Sequence, residues 1–205
     1  YLNQNIDKMS KVIVGLAGLA QSGKDSFCDE LINQLYASGF KGQRFALADA
    51  LKRDLNTLLI DKFEIDIFNC TPEEKEQMRP MMVSYGKTWR LRSEGTHWTN
   101  IVTSEIEKSD CDVAIVTDIR YDQYPKDEIN WLKFGLRGTL VHIQRYDIHE
   151  GNRKYMLPPN EDEAQEDPKL QEWADYHIEW ATGDVEMKVG HVAHFRRKMV
   201  EPFLK

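Results

Sequence analysis

Residues 10–30 read SKVIVGLAGLAQSGKDSFCDE, and the fold turns on how this stretch is read. Val12 to Ala17 is a short apolar run with β-branched residues, the pattern of a strand buried on both faces. A loop carrying Gly18 and Gly23 follows. Beyond it Phe27, Leu31, Ile32 and Leu35 recur at helical spacing, with Gly39 placed as a C-terminal stop. Strand, glycine loop and helix are the context in which G-x-x-x-x-G-K becomes a phosphate-binding loop. Gly18 and Gly23 allow a close backbone approach, so that successive amide hydrogens converge on phosphate oxygens at the positive end of the helix. Lys24 would reach the outer phosphates and follow their charge during transfer.

One position departs from the usual pattern, which places a hydroxyl directly after the lysine to meet magnesium. Here Asp25 stands there and the hydroxyl, Ser26, comes one place later. Asp25 has two readings. As a first-turn acid it would favour the helix dipole by about 0.3 to 1 kcal/mol. As a carboxylate beside a triphosphate it would need a cation between the two, which makes it a candidate Mg2+ ligand, direct or through water.

Outward from the loop, the chain alternates. A brief strand is expected at Arg44 to Ala46, then a helix from about Asp49 with Leu51, Leu55, Leu58 and Leu59 on one face. Thr71 followed by Pro72 and two glutamates opens another helix, which Pro80 should kink or break. A helix over about 97–107, a buried strand in DVAIVTD, a helix over about 127–134 and a third strand in GTLVHIQR follow. Residues 146–174 are polar, acidic and interrupted by three prolines, an excursion from the core. DYHIEW returns as a short strand before a closing helix. Strands alternating with helices imply a mainly parallel sheet with helices on both faces, whose ligands bind beyond the carboxyl ends of the strands.

Composition bounds the function. The 205 residues suit one domain, with residues 1–8 read as a leader or a cloning remnant and Met9 as a candidate start. A net charge of −7 argues against a general nucleic-acid binder. No run approaches the roughly 18 apolar residues of a membrane span. Cys28, Cys70 and Cys111 are odd in number and widely spaced, which suggests neither a disulfide framework nor a zinc site and fits a cytoplasmic setting.

Taken in order, GLAQSGKDS, FALADALKRDL, RPMMVSYGKTWRLRSEGTHW and VTDIRY resemble the deoxynucleoside monophosphate kinases of tailed bacteriophages, over residues 12 to about 125. The resemblance implies an α/β, P-loop three-layer fold of the nucleoside monophosphate kinase type. It would have a five-stranded sheet, an acceptor-binding helical insertion over about 62–108 and a lid within about 146–174. It also implies ATP and a dNMP as substrates, Mg2+ as cofactor and a cytoplasmic enzyme, in the host cytoplasm if phage-encoded. A homodimer is possible.

The resemblance distributes roles as follows. Gly18, Gln21, Ser22, Gly23, Lys24, Asp25 and Ser26 would cradle ATP, with Arg145 and Arg153 closing over it and Asp25 or Ser26 meeting the metal. Ala20, Arg79, Gly86, Lys87, Trp98 and Tyr124 would border the dNMP. Lys87 stands where the family commonly has Thr, and Tyr124 where it has an acid. Asp118 and Arg120 match the family's D-V-R at the end of a central strand. Asp118 would orient the acceptor or hold metal, and Arg120 would grip phosphate or stabilise the transferring charge. On their own, Arg79 reads as a solvated helix arginine, Trp98 as a core residue, Asp49 as a helix cap, and Asp118 with Arg120 as a strand-end pair. Two other functions share these features: a P-loop kinase for another small molecule, of the dephospho-coenzyme A or phosphomevalonate type, and a nucleotide-dependent switch. The chain has no N-K-x-D motif of the guanine-reading kind.

Overall fold

The computed structural model describes residues 11–204, so Met9 and residues 1–8 lie outside the described residues. β1 (Val12–Ala17) runs through the middle of the sheet. Its neighbours are β3 (Val113–Val116) on one side and β4 (Thr139–His149) on the other, both parallel to it. β2 (Gly42–Phe45) extends the sheet beyond β3, and β6 (Tyr176–Ala181) extends it beyond β4. The five parallel strands thus stand in the order β2-β3-β1-β4-β6. A sixth strand, β5 (Asn152–Tyr155), pairs antiparallel with the overhanging end of β4.

Both faces are covered, which explains why the central strands are apolar throughout. Val14 and Leu16 point into one core, built with Phe27, Leu31 and Leu35 of α1 (Lys24–Ala37) and with Val192 and Phe195 of α7 (Val185–Phe195). Ile13 and Ala17 point into the other, which takes Ala50 of α2 (Leu47–Phe63) and Val102 and Ile106 of α4 (Thr96–Lys108). Each fully buried Leu, Ile or Phe side chain contributes roughly 1.5–3 kcal/mol. Period-2 alternation along β1 therefore assigns one set of helices to each face.

Local chemistry sets the helix ends. Thr71 and Glu74 form a reciprocal capping box in front of Pro72, and α3 runs Pro72–Ser93. It continues through Pro80 without a break, contrary to expectation. Pro80 and Glu76, whose carbonyl loses its amide partner, are both exposed to water, which can take over the lost bond. The strand expected at Arg44–Ala46 sits slightly earlier, and α2 begins at Leu47 rather than Asp49. Leu58 is exposed, so the buried stripe of α2 is carried by Leu55 and Leu59. The short α5 (Glu128–Asn130) passes into a π-helical turn over Trp131–Gly135.

The excursion over 146–174 holds regular structure. It comprises the β4–β5 hairpin and α6 (Glu161–Trp173), which buries Glu166 and packs Leu170 into the α2/α4 core. No helix among the described residues is long and apolar enough to cross a membrane.

Candidate active site

The loop after β1 lies at the carboxyl edge of the parallel sheet, and its backbone needs both of its glycines. Gly18 has φ +128°, and a Cβ there would stand 2.2 Å from the Ile143 carbonyl oxygen. Gly23 has φ +101°, and a Cβ there would meet the Trp180 indole at 2.7 Å. Trp180 of β6 lies under the loop and donates its Nε1–H to the Ser22 carbonyl at 3.1 Å. Gln21 also has a positive φ, 63°. Three of the loop's residues ahead of α1 thus have positive φ.

Lys24 arches over the loop and donates to the carbonyls of Gly18 and Leu19, both at 2.7 Å. Burial, reinforced by the like charge of Arg120, lowers its ammonium to about 8, while Glu163, Asp25 and Asp167 pull the other way. Ser22 is buried, with a side-chain oxygen that has no hydrogen-bond partner. Asp25 and Ser26 are exposed in the first turn of α1. Asp25 lies 3.7 Å from Arg44, which itself is bound by Asp49 at 2.6 Å. Hydrogen bonds from Lys52 and Arg44 outweigh burial and hold Asp49 below the usual carboxylate range.

Asp118, at the end of β3, uses both oxygens on the start of α2. It accepts from the amides of Leu47 at 2.9 Å and Ala48 at 2.7 Å. α2 thus takes its cap from another strand, which is why its own N-cap residue, Ala46, makes no side-chain cap bond. Burial pushes the Asp118 carboxyl up, against the pull of the two amides and Arg120.

Two residues on, Arg120 is exposed and faces Glu163 of α6 at 3.8 Å. A cleft of about 480 Å³ joins these parts, with Gly18, Ala20 and Gln21 at one wall, Arg79 and Arg120 at another, and the start of α6 opposite. Arg79 also pairs with Glu76 at 2.7 Å. Lys87 pairs with Asp162 at 2.7 Å, tying α3 to the start of α6. A smaller cavity of about 180 Å³, walled by Gly23, Ser26, Arg145, Trp180, Gly183 and Lys188, opens on the other side of the loop. A third, about 470 Å³, borders Arg44 and Arg53 and has no loop residue in its wall.

Other expected site residues lie elsewhere. Trp98 is buried in the α2/α4 core, edge-on to His97. Gly86 is a packing position, where a Cβ would meet Leu51 at 2.6 Å. Arg153 binds Glu179 at 3.0 Å and covers the Tyr146 ring, on the β4–β5 ribbon. Tyr124 lies 5.9 Å from the Arg90 guanidinium.

A buried ionic cluster shapes the arginine loop, the turn after β3 that carries Arg120. Arg90 of α3 donates to Asp127 at 2.7 and 2.9 Å and to Glu128 at 2.9 Å. The second oxygen of Glu128 accepts from the amides of Arg120 at 2.7 Å and Tyr121 at 3.2 Å. Burial pushes the Glu128 carboxyl up, opposed by Arg90 and the Arg120 amide. The only advance sign of this cluster was two adjacent acids after the VTDIRY motif, without an indication of their partner.

Among the described residues no three His, Cys, Asp or Glu side chains converge as a protein-only metal cage. A Mg2+ held largely by phosphates needs fewer protein oxygens, and the exposed Asp25 and Ser26 at the loop fit that requirement.

No family model and no curated protein matches the chain. Solved structures do. The shikimate kinase from Acinetobacter baumannii, in complex with shikimate, is 15% identical, with 95% of this chain and 96% of that chain covered at a TM-score of 0.49. TT1252 from Thermus thermophilus is 12% identical, with 92% and 98% covered at a TM-score of 0.48. The fold is a three-layer α/β sandwich with a mainly parallel sheet and a phosphate-loop-like turn between β1 and α1. That statement stands on the strand order and on the loop after β1.

Proposed function

We propose that the protein is a small-molecule kinase that transfers the γ-phosphoryl group of ATP to the phosphate of a deoxynucleoside 5'-monophosphate. The observation that carries this reading is the cleft of about 480 Å³ in which a phosphate-binding loop and two arginines, Arg79 and Arg120, share one space. A guanidinium grips a phosphate bidentately, so two arginines in a cleft beside a phosphoryl donor site suit an acceptor that already carries phosphate, although Asp162, Glu163, Glu166 and Asp167 line the same cleft.

In this reading an oxygen of the acceptor phosphate attacks the γ-phosphorus in line. One P–O bond forms as the bond to the ADP leaving oxygen breaks. The attacking oxygen is already anionic, so no strong general base is required. Lys24 and the loop amides hold the donor phosphates, Arg120 meets the charge in transit, and Arg79 orients the acceptor. Mg2+, when bound, would neutralise phosphate charge, with Ser26 and Asp25 as the residues placed to hold it. The cavity beside Trp180 and Gly183 is the place for the donor's adenine.

The deciding experiment is ADP release measured across dNMPs, NMPs, shikimate, dephospho-coenzyme A and phosphomevalonate. Stimulation by dNMPs is expected. Activity confined to a non-nucleotide acceptor would replace this substrate with another, and slow hydrolysis that no acceptor stimulates would mark a switch.

A further inference from the structure

α6 enters the site with its acids foremost. Asn160 caps the helix by accepting from the Glu163 amide at 2.9 Å, and its side-chain amide donates back to Glu163 Oε1 at 3.1 Å. The other oxygen, Oε2, accepts the Ala20 amide hydrogen of the phosphate loop at 2.7 Å. Oε1 also faces Arg120 at 3.8 Å, and the Glu163 side chain is only 13% exposed. One carboxylate therefore takes a loop amide of the kind that binds phosphate oxygens, and it faces a cation assigned to the transferring charge. The neighbouring acids are committed elsewhere: Asp162 to Lys87, Glu166 to Gln123 and Lys169, and Asp167 to His142.

We propose that Glu163 is a resident anion at the Ala20 amide of the phosphate loop, so that an incoming nucleotide phosphate must displace it and, in doing so, frees Arg120 and the first turn of α6 for the acceptor. This inference rests on the kinase reading. A site that is competent only while Glu163 is withdrawn binds its ligand more weakly by that fraction, and removing the carboxylate removes the penalty. Binding becomes ordered: nucleotide first, acceptor second. A contact that served only the fold would lower stability without touching affinity.

Calorimetric titration of the full chain with ADP, and separately with inorganic pyrophosphate, without an acceptor, distinguishes the two. Glu163→Ala should bind both probes about five- to tenfold more tightly than wild type, and Glu163→Gln, whose amide oxygen still accepts from Ala20, should fall between. Should Glu163→Ala fold poorly, the Gln variant gives the reading. Hydrogen exchange on the wild type is the second measurement: pyrophosphate should speed exchange in the first turn of α6. Binding that is unchanged or weaker in the variants, or slowed exchange, overturns the inference and leaves the kinase reading standing. Failure of wild type to bind either probe overturns the kinase reading and the inference together.

Discussion

On the proposed reading, the two halves of the site, donor and acceptor, are built in opposite ways. The phosphate-binding part of the donor half, β1, its loop and α1, is one continuous segment from Val12 to Ala37. Its backbone is shaped mostly from within, by two glycines and by a lysine folded back on its own loop, with Trp180 and Glu163 as its contacts from outside. The acceptor half draws Arg79 from α3, Arg120 from the loop after β3, and Glu163 from α6, and it joins them through ion pairs. A local site tolerates change at a distance. An assembled one depends on the pairs that position its parts, and the predictions below test that contrast.

The largest effect should fall on the acceptor half. Replacing Arg90 by Met leaves Asp127 and Glu128 as uncompensated buried acids, which costs about 3–5 kcal/mol. At roughly 2–4 °C per kcal/mol for a chain of this size, the melting midpoint should drop by about 6–20 °C. The arginine loop should loosen with it, because Glu128 holds the Arg120 amide. A variant that melts like wild type would show that this cluster does not anchor the acceptor half.

In the donor half, Lys24→Ala should reduce kcat by about 10²–10³-fold, as expected when one positioned charge is withdrawn from the transferring phosphoryl, while the melting midpoint holds. Lys24 also sets a pH dependence. Its folded pKa lies near 8, below its ordinary 10.5, so the free protein loses this charge as the pH rises through 8. The ratio of wild-type to Lys24→Ala affinity for pyrophosphate should therefore fall as the pH rises above 8, a comparison in which the titration of pyrophosphate itself cancels. The stability linkage has the opposite sign. Between pH 8 and 10.5 the unfolded chain binds more protons at this position than the folded one, so Lys24 becomes less destabilising as the pH rises.

Gly23→Ala sharpens the comparison from the backbone side. A Cβ at φ +101° costs roughly 1–2 kcal/mol for a left-handed residue, and it would also collide with Trp180. The loss should appear as weaker ADP binding, with the acceptor half unaffected in hydrogen exchange. Uniform loosening of both halves would show that the loop is not an independent unit.

The same contrast explains what was readable in advance. Val12 to Ala37 declared strand, loop and helix, because periodicity and glycine placement are properties of neighbouring residues. The alternation of elements implied the parallel sheet for the same reason. Arg90 with Asp127, Asp118 with the amides of α2, and Glu163 with Ala20 join residues 37, 71 and 143 positions apart. No spacing rule reaches across such distances. Proline and acid content marked 146–174 as an excursion, yet Leu170 docks α6 against the core, a packing fact that composition does not carry. Trp98 shows the converse, since a motif match placed it at the pocket and its apolar helix face buries it.

Asp25 is where the smallest effect is expected and where the comparison is finest, because the donor half is otherwise closed by its own backbone. Its side chain is 81% exposed, caps nothing in α1, and has Arg44 at 3.7 Å, a guanidinium already held more closely by Asp49. A first-turn acid of this kind stabilises its helix by about 0.3 to 1 kcal/mol, so Asp25→Asn should move the melting midpoint by only a few degrees. A carboxylate with no closer partner beside a phosphate loop is also free to meet a cation, directly or through water. The expected result for Asp25→Asn is therefore a several-fold rise in the Mg2+ concentration needed for half-maximal turnover, with near-wild-type turnover restored at saturating Mg2+. Should the Mg2+ titration superimpose on wild type, Asp25 is a helix-end acid and Ser26 alone remains as the protein's candidate contact to the metal.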